Sequence, residues 1–171
     1  VPDPERRIEL DDLVKQEARR VLELLSDPGA VAGPLEGSNE EQLVRVARLG
    51  QQYEHAALPF CASVQVAARW AGPEAMTTWA LPIRSFVVAA NRTQSGTTAL
   101  LSLRHVPGLL AIMAAAIPCV SGERWENLRI LIADQTARGR YDNRDVPMLE
   151  TTYPWTAFDP AEVVGKIMAQ A

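Results

Sequence analysis

The side chains able to do chemistry are few and scattered. His55 follows Glu54 and precedes an Ala-Ala pair, while His105 precedes Val-Pro. A histidine beside a carboxylate works as an acid/base pair only if a cleft delivers a nucleophile to it. No Gly-x-Ser-x-Gly elbow and no reactive-cysteine setting accompanies this one. Neither histidine sits in a His-Glu-x-x-His or equivalent spacing, so no metal site is expected. Cys61 and Cys119 each lie in an apolar stretch without a Cys-x-x-Cys spacing. They read as small buried hydrophobes, not as zinc ligands or a disulfide framework. No catalytic, cofactor-binding or metal-ligating residue is expected.

Three other stretches carry polar or aromatic groups at suggestive spacing. "NRTQSGTT", residues 91–98, is similar to the end of a phosphate-binding loop, yet Asn91 replaces the first glycine and Thr97 the lysine. A turn capped by Ser95 or Thr97 accounts for it. Between 121 and 145, "RWENLR" and "RYDNRD" echo one another, and arginines beside Trp125 and Tyr141 could grip phosphates and stack on bases. Five arginines there meet five acids, a balance that favours ion pairs on a solvated face. Nucleic acid is therefore not an expected partner. "YPWTAF", residues 153–158, is the best surface-contact candidate, because Tyr153, Trp155 and Phe158 would anchor a partner at low entropic cost. Arg124, Trp125 and Arg129 join them as candidate partner contacts. A strap packed across its own bundle is the alternative.

These residues are carried by helices. Asp3 as a cap, Pro4 at the first helical position and Ile8, Leu13, Val14, Val21 and Leu25 at helical spacing predict a first helix ending at "SDPG". Residues 28–37, with three glycines and two prolines, predict a flexible loop. Ser38 with Glu41 forms a capping-box pattern that starts a second helix. Pro59 is expected to break or kink it, with a further helix over about 60–71. Helix resumes from Met76 to Val87, again over 97–105, and again after Pro107. Ser121 is expected to cap a helix carrying Trp125 and Leu128. No stretch alternates with period two, so strands are not predicted. The fold class is all-α: a compact multi-helix bundle around a central apolar, Ala-rich helix, with an extended aromatic segment before a short C-terminal helix. It forms a single helical domain over residues 1–171.

Charge is spread unevenly. The chain has 171 residues and net charge −4, against an electrostatic hold on nucleic acid or anionic lipid. Between Ala56 and Gly122 the only charged residues are Arg69, Glu74, Arg84, Arg92 and Arg104. Helices this apolar are normally covered on more than one side. "HVPGLLAIMAAAIPCV", residues 105–120, is shorter than the ~20 residues of a membrane span and is interrupted by Pro107 and Pro118. It is expected to be a core helix, or one partly covered by a second subunit or a neighbouring domain. The opening "VPDPERR" reads as a linker feeding a helix, so the chain is expected to be a fragment of a longer, cytoplasmic protein.

Residues 103–131, "LRHVPGLLAIMAAAIPCVSGERWENLRIL", resemble helical regions of large multidomain actinobacterial signalling or anti-phage defence proteins that also carry sirtuin-like, TIR or NTPase modules. The matching positions are Arg104, Pro107, Gly122, Trp125, Asn127 and Arg129. The resemblance implies a scaffolding or sensing role, the chemistry belonging to other modules. The leading expectation is thus a non-catalytic helical interaction or regulatory module that self-associates or contacts a neighbouring effector domain. The alternative is a small-ligand-binding or enzymatic bundle with a pocket near Trp79, His105 and Trp125.

Overall fold

A computed structural model describes residues 4–92, 95–139 and 144–157. Four long helices dominate it: α1 (Pro4–Ser26), α3 (Asn39–Trp70), α4 (Thr77–Asn91) and α6 (Val106–Ser121). Shorter helices α2 (Pro28–Val31), α5 (Thr98–Leu103), α7 (Trp125–Leu128), α8 (Met148–Thr151) and α9 (Pro154–Ala157) join or flank them. The all-α class holds, and the apolar run after Pro107 is a bundle helix. Asp3 and the expected C-terminal helix lie outside the described residues.

Each α3 residue of the series Leu49, Tyr53, Ala57, Phe60, Val64 and Ala67 is buried, a recurrence of three to four that fixes one inward stripe. The helix starts where the capping box places it. Glu41 donates its backbone N–H to the Ser38 hydroxyl, and the Glu41 carboxylate accepts from the Ser38 N–H at 2.8 Å. The Ser38 N–H and, secondly, the Ser38 hydroxyl, both donating to the Glu41 carboxylate, hold that carboxyl below its usual value. Contrary to expectation, Pro59 neither ends the helix nor divides it: one helix of 32 residues runs through. Pro59 lies on the exposed side, where water can satisfy the carbonyl it leaves unpaired.

Contacts between the long helices fix their directions. Asp11 of α1 accepts from the Thr78 hydroxyl near the start of α4 at 2.8 Å, and the far ends of both helices meet at Arg104. α1 and α4 are therefore parallel. Ser63, in the last third of α3, bonds Glu17 of α1 and receives the Trp79 indole N–H of α4. The Cys119 thiol of α6 reaches the Ala68 carbonyl of α3, while the Arg104 charge just before α6 lies near Tyr53. So α3 and α6 run parallel to each other and opposite to α1 and α4. α3 and α4 each pack on both α1 and α6, and they face one another across the axis, where Phe60 and Phe86 meet edge to face at 5.0 Å between centroids.

Thr98–Ser121 is the one stretch among the described residues long and apolar enough to cross a membrane, and 67% of its most apolar window is buried within the bundle. Gly108 marks the close approach of α6 to α4, since a Cβ there would lie 3.2 Å from Val87 Cγ2.

The connection 28–37 contains α2, capped by Asp27 with Val31 buried, and Arg45 donates to the carbonyls of Ala32 and Pro34. Three local expectations are corrected. Ser121 closes α6 instead of capping a new helix; α7 begins after a left-handed Glu123 and passes into one π-helical turn, Arg129–Ala133. A small antiparallel hairpin exists, β1 (Thr136–Arg138) with β2 (Asp145–Pro147), pairing Ala137 with Val146. Its strands of three residues are too short to show alternation, and α4 anchors them by Arg84 to the Thr136 carbonyl and Asn91 to the Arg138 carbonyl. The aromatic segment is extended only in β2 and around Thr152, because α8 and α9 each take up one turn.

Candidate functional site

Of the residues expected to line a pocket, His105 and Trp125 lie beyond opposite ends of α6. Trp79 is buried in the core, bonded to Ser63 at 3.2 Å. His105 is buried at the junction of α5 and α6. Trp125 is exposed beyond the other end of α6, whose 16 residues span roughly 24 Å. Glu54 and His55 are exposed on α3. The loop similar to a phosphate-binding motif uses its polar groups locally: Thr97 is the N-cap residue of α5, and its hydroxyl donates to the Gly33 carbonyl and makes no capping bond to the helix. Gly96 is needed for fit, since a Cβ would come within 2.5 Å of the Val31 carbonyl oxygen.

Among the described residues, no three His, Cys, Asp or Glu side chains gather in a way that could hold a metal ion. Both cysteines are buried and free; burial pushes the Cys61 thiol up to about 11 and raises Cys119 as well. A thiol so shifted carries almost no thiolate near pH 8. The folded protein is expected to leave both thiols unlabelled by a disulfide reagent at pH 8, with two equivalents reacting on unfolding. Rapid labelling of either in the folded state would contradict the buried placement.

The positions that carry the resemblance perform structural work. Arg104 donates to the carbonyls of Leu25, Ala89 and Arg92, closing the ends of α1 and α4 together. Pro107 sits in the first turn of α6. The Asn127 amide donates to the carbonyls of Ala68 and Ala71, and Arg124 to that of Ala71, so α7 closes the end of α3. Gly122 leaves room for the Arg69 guanidinium. Arg129 pairs with Glu126 at 2.7 Å and with Asp134 on an exposed face. The bonds from Arg129 hold the Glu126 carboxyl below its usual value. Among the described residues of 121–145, Arg129 forms ion pairs, while Arg124 is spent on a backbone carbonyl.

Two surfaces remain without a structural explanation. The first covers the outer sides of α3 and α6. With Ala68 level with Cys119, Ala62 and Val66 stand at the height of Met113 and Ile117 on the adjoining helix. Val66, Met113, Ile117 and Val120 are exposed, and Trp70 and Trp125 are 76% and 59% exposed at the same end of the bundle. The Arg69 guanidinium lies over the Trp70 ring, 5.5 Å from its centroid. Sequence reasoning singled out Trp125 but missed Trp70, whose place at the end of a long helix gave no clue to its exposure. Of the other expected contacts, Tyr153 is exposed, Arg124 is half-buried in its cap, and Arg129 is exposed. Trp155 falls in α9 without a described side chain, and Phe158 lies outside the described residues.

The second surface is a groove of ≈ 480 Å³ between α1 and α4. Arg7, Lys15 and Arg19 line one wall, Thr77, Thr78 and Ser85 contribute to the other, and Leu22, Leu81 and Pro82 add apolar surface. Comparison of the chain with family models, with curated proteins and with solved structures finds no match.

Proposed function

We propose that this chain is a non-catalytic helical interaction module that acts by self-association or by contact with a neighbouring effector domain, using the outer face of α3 and α6. The observation that carries this is the bare apolar band of Val66, Met113, Ile117 and Val120, flanked by two exposed tryptophans. Single exposed hydrophobes are ordinary, whereas four on two adjoining helices, at the end of the bundle that carries two exposed tryptophans and Arg69, have the composition of an interface centre. A second copy is the favoured occupant. The band carries no charge that would seek an opposite, so the same patch can meet itself about a two-fold axis.

Light scattering at about 100 μM should return twice the 18.7 kDa chain mass. The double variant Val66→Glu/Ile117→Glu should run as a monomer with unchanged helical circular dichroism. A parent that is monomeric throughout the range would end the self-association reading. Small-ligand binding is the second reading, and the α1/α4 groove is the observation in its favour.

A further inference from the structure

We infer that the groove between α1 and α4 binds a small amphipathic organic anion: a carboxylate or phosphate ester joined to an apolar body. This develops the second reading above and is independent of the α3/α6 band. Residues four apart on a helix lie in a row, so Arg7, Asp11, Lys15 and Arg19 share the α1 face turned towards α4. That row holds three cations against one carboxylate, Asp11, which accepts the Thr78 hydroxyl at 2.8 Å and keeps its charge. Among the described residues Arg7 and Arg19 have no acidic partner, and Lys15 has only the exposed Asp12 at 3.8 Å. A chain of net charge −4 thus concentrates three cations along one cleft.

Charge alone would describe a solvated helix face. Two features set this one apart. The cleft has a volume within the usual range for small-molecule sites, ≈ 480 Å³. Its floor is also apolar: Ala18 and Leu22 come from α1, while Leu81 and Pro82 come from α4. Leu81 is 63% exposed inside a helix that otherwise buries its large hydrophobes. A bare inorganic anion would gain only water-screened ion pairs here. An anion with an apolar body would pair with Lys15 and Arg19 while covering Leu81 and Pro82. Because α1 and α4 are parallel with Asp11 opposite Thr78, Lys15 stands opposite Pro82 and Ala18 opposite Ser85. Head and body therefore bind side by side at one level of the cleft.

The test is calorimetric titration of the full chain with decyl phosphate below its micellar concentration, beside inorganic phosphate and decyltrimethylammonium. Decyl phosphate should bind saturably, and Lys15→Gln/Arg19→Gln should weaken it about tenfold, the equivalent of about 1.4 kcal/mol. Leu81→Asn should weaken it too, and inorganic phosphate should bind at least about tenfold less tightly. All three substituted side chains are exposed, so unchanged thermal unfolding is expected to accompany the loss. Val66→Glu/Ile117→Glu should retain full binding, which separates this inference from the association reading. Absence of saturable binding, equal affinity for the cationic amphiphile, or an unaffected charge-neutralised variant would each overturn it.

Discussion

Arg104→Ala is expected to destabilise the fold by about 3 kcal/mol and to lower the unfolding midpoint by about 6–12 °C. The side chain is 2% exposed, and its guanidinium donates to Arg92 at 2.9 Å, Leu25 at 3.1 Å and Ala89 at 2.6 Å. Those acceptors belong to the C-terminal ends of two parallel helices, and neither α1 nor α4 has a basic residue in its own last turn. The arginine supplies from the α5/α6 junction both the missing hydrogen bonds and the positive charge that the negative ends of two helix dipoles favour. Alanine would leave buried carbonyls without donors. Lysine keeps the charge but not the fork, so Arg104→Lys should recover only part of the loss. Thermal melts followed by circular dichroism decide the matter: a shift below about 2 °C for Arg104→Ala would mean that the ends of α1 and α4 do not depend on this residue.

Phe86→Ala is expected to cost about 3–5 kcal/mol, the range for deleting a large buried aromatic. Phe86 and Phe60 are both 0% exposed and meet edge to face, 74° between planes, across the centre of the four long helices. Few residues are better placed to hold the opposite corners α3 and α4 together. Leucine at either position should cost much less. The cycle of Phe60→Leu, Phe86→Leu and the double variant should show a coupling of about 0.5–1.5 kcal/mol beyond additivity in urea unfolding. Strict additivity would show that the pair contributes area and no specific ring geometry.

The long helices were legible because their signals are local. Ser38 and Glu41 announce the start of α3, and the three-to-four recurrence from Leu49 to Ala67 announces its inward side. Pro59 misled as punctuation: it lies inside a helix, and a proline's local cost is outweighed where the rest of the helix buries a continuous stripe. The hairpin at 136–147 was not legible, since its position depends on Arg84 and Asn91, some fifty residues away in sequence. The same limit applied to function. Trp79, His105 and Trp125 were grouped by residue type, and the length of α6 that separates His105 from Trp125 was not weighed in that grouping. The α1/α4 groove was hidden for the same reason: Arg7, Lys15 and Arg19 look like an ordinary charged face until the parallel α4 sets Leu81 and Pro82 opposite them.

The clasp made by Arg104 also bears on the order in which the chain can assemble during synthesis. Leu25 and Arg104 are 79 positions apart, so at roughly 5–20 residues added per second the ribosome delivers the donor about 4–16 s after its first acceptor. Over that interval the nascent N-terminal helices must wait unsealed, and any chaperone that engages this chain has its opening there.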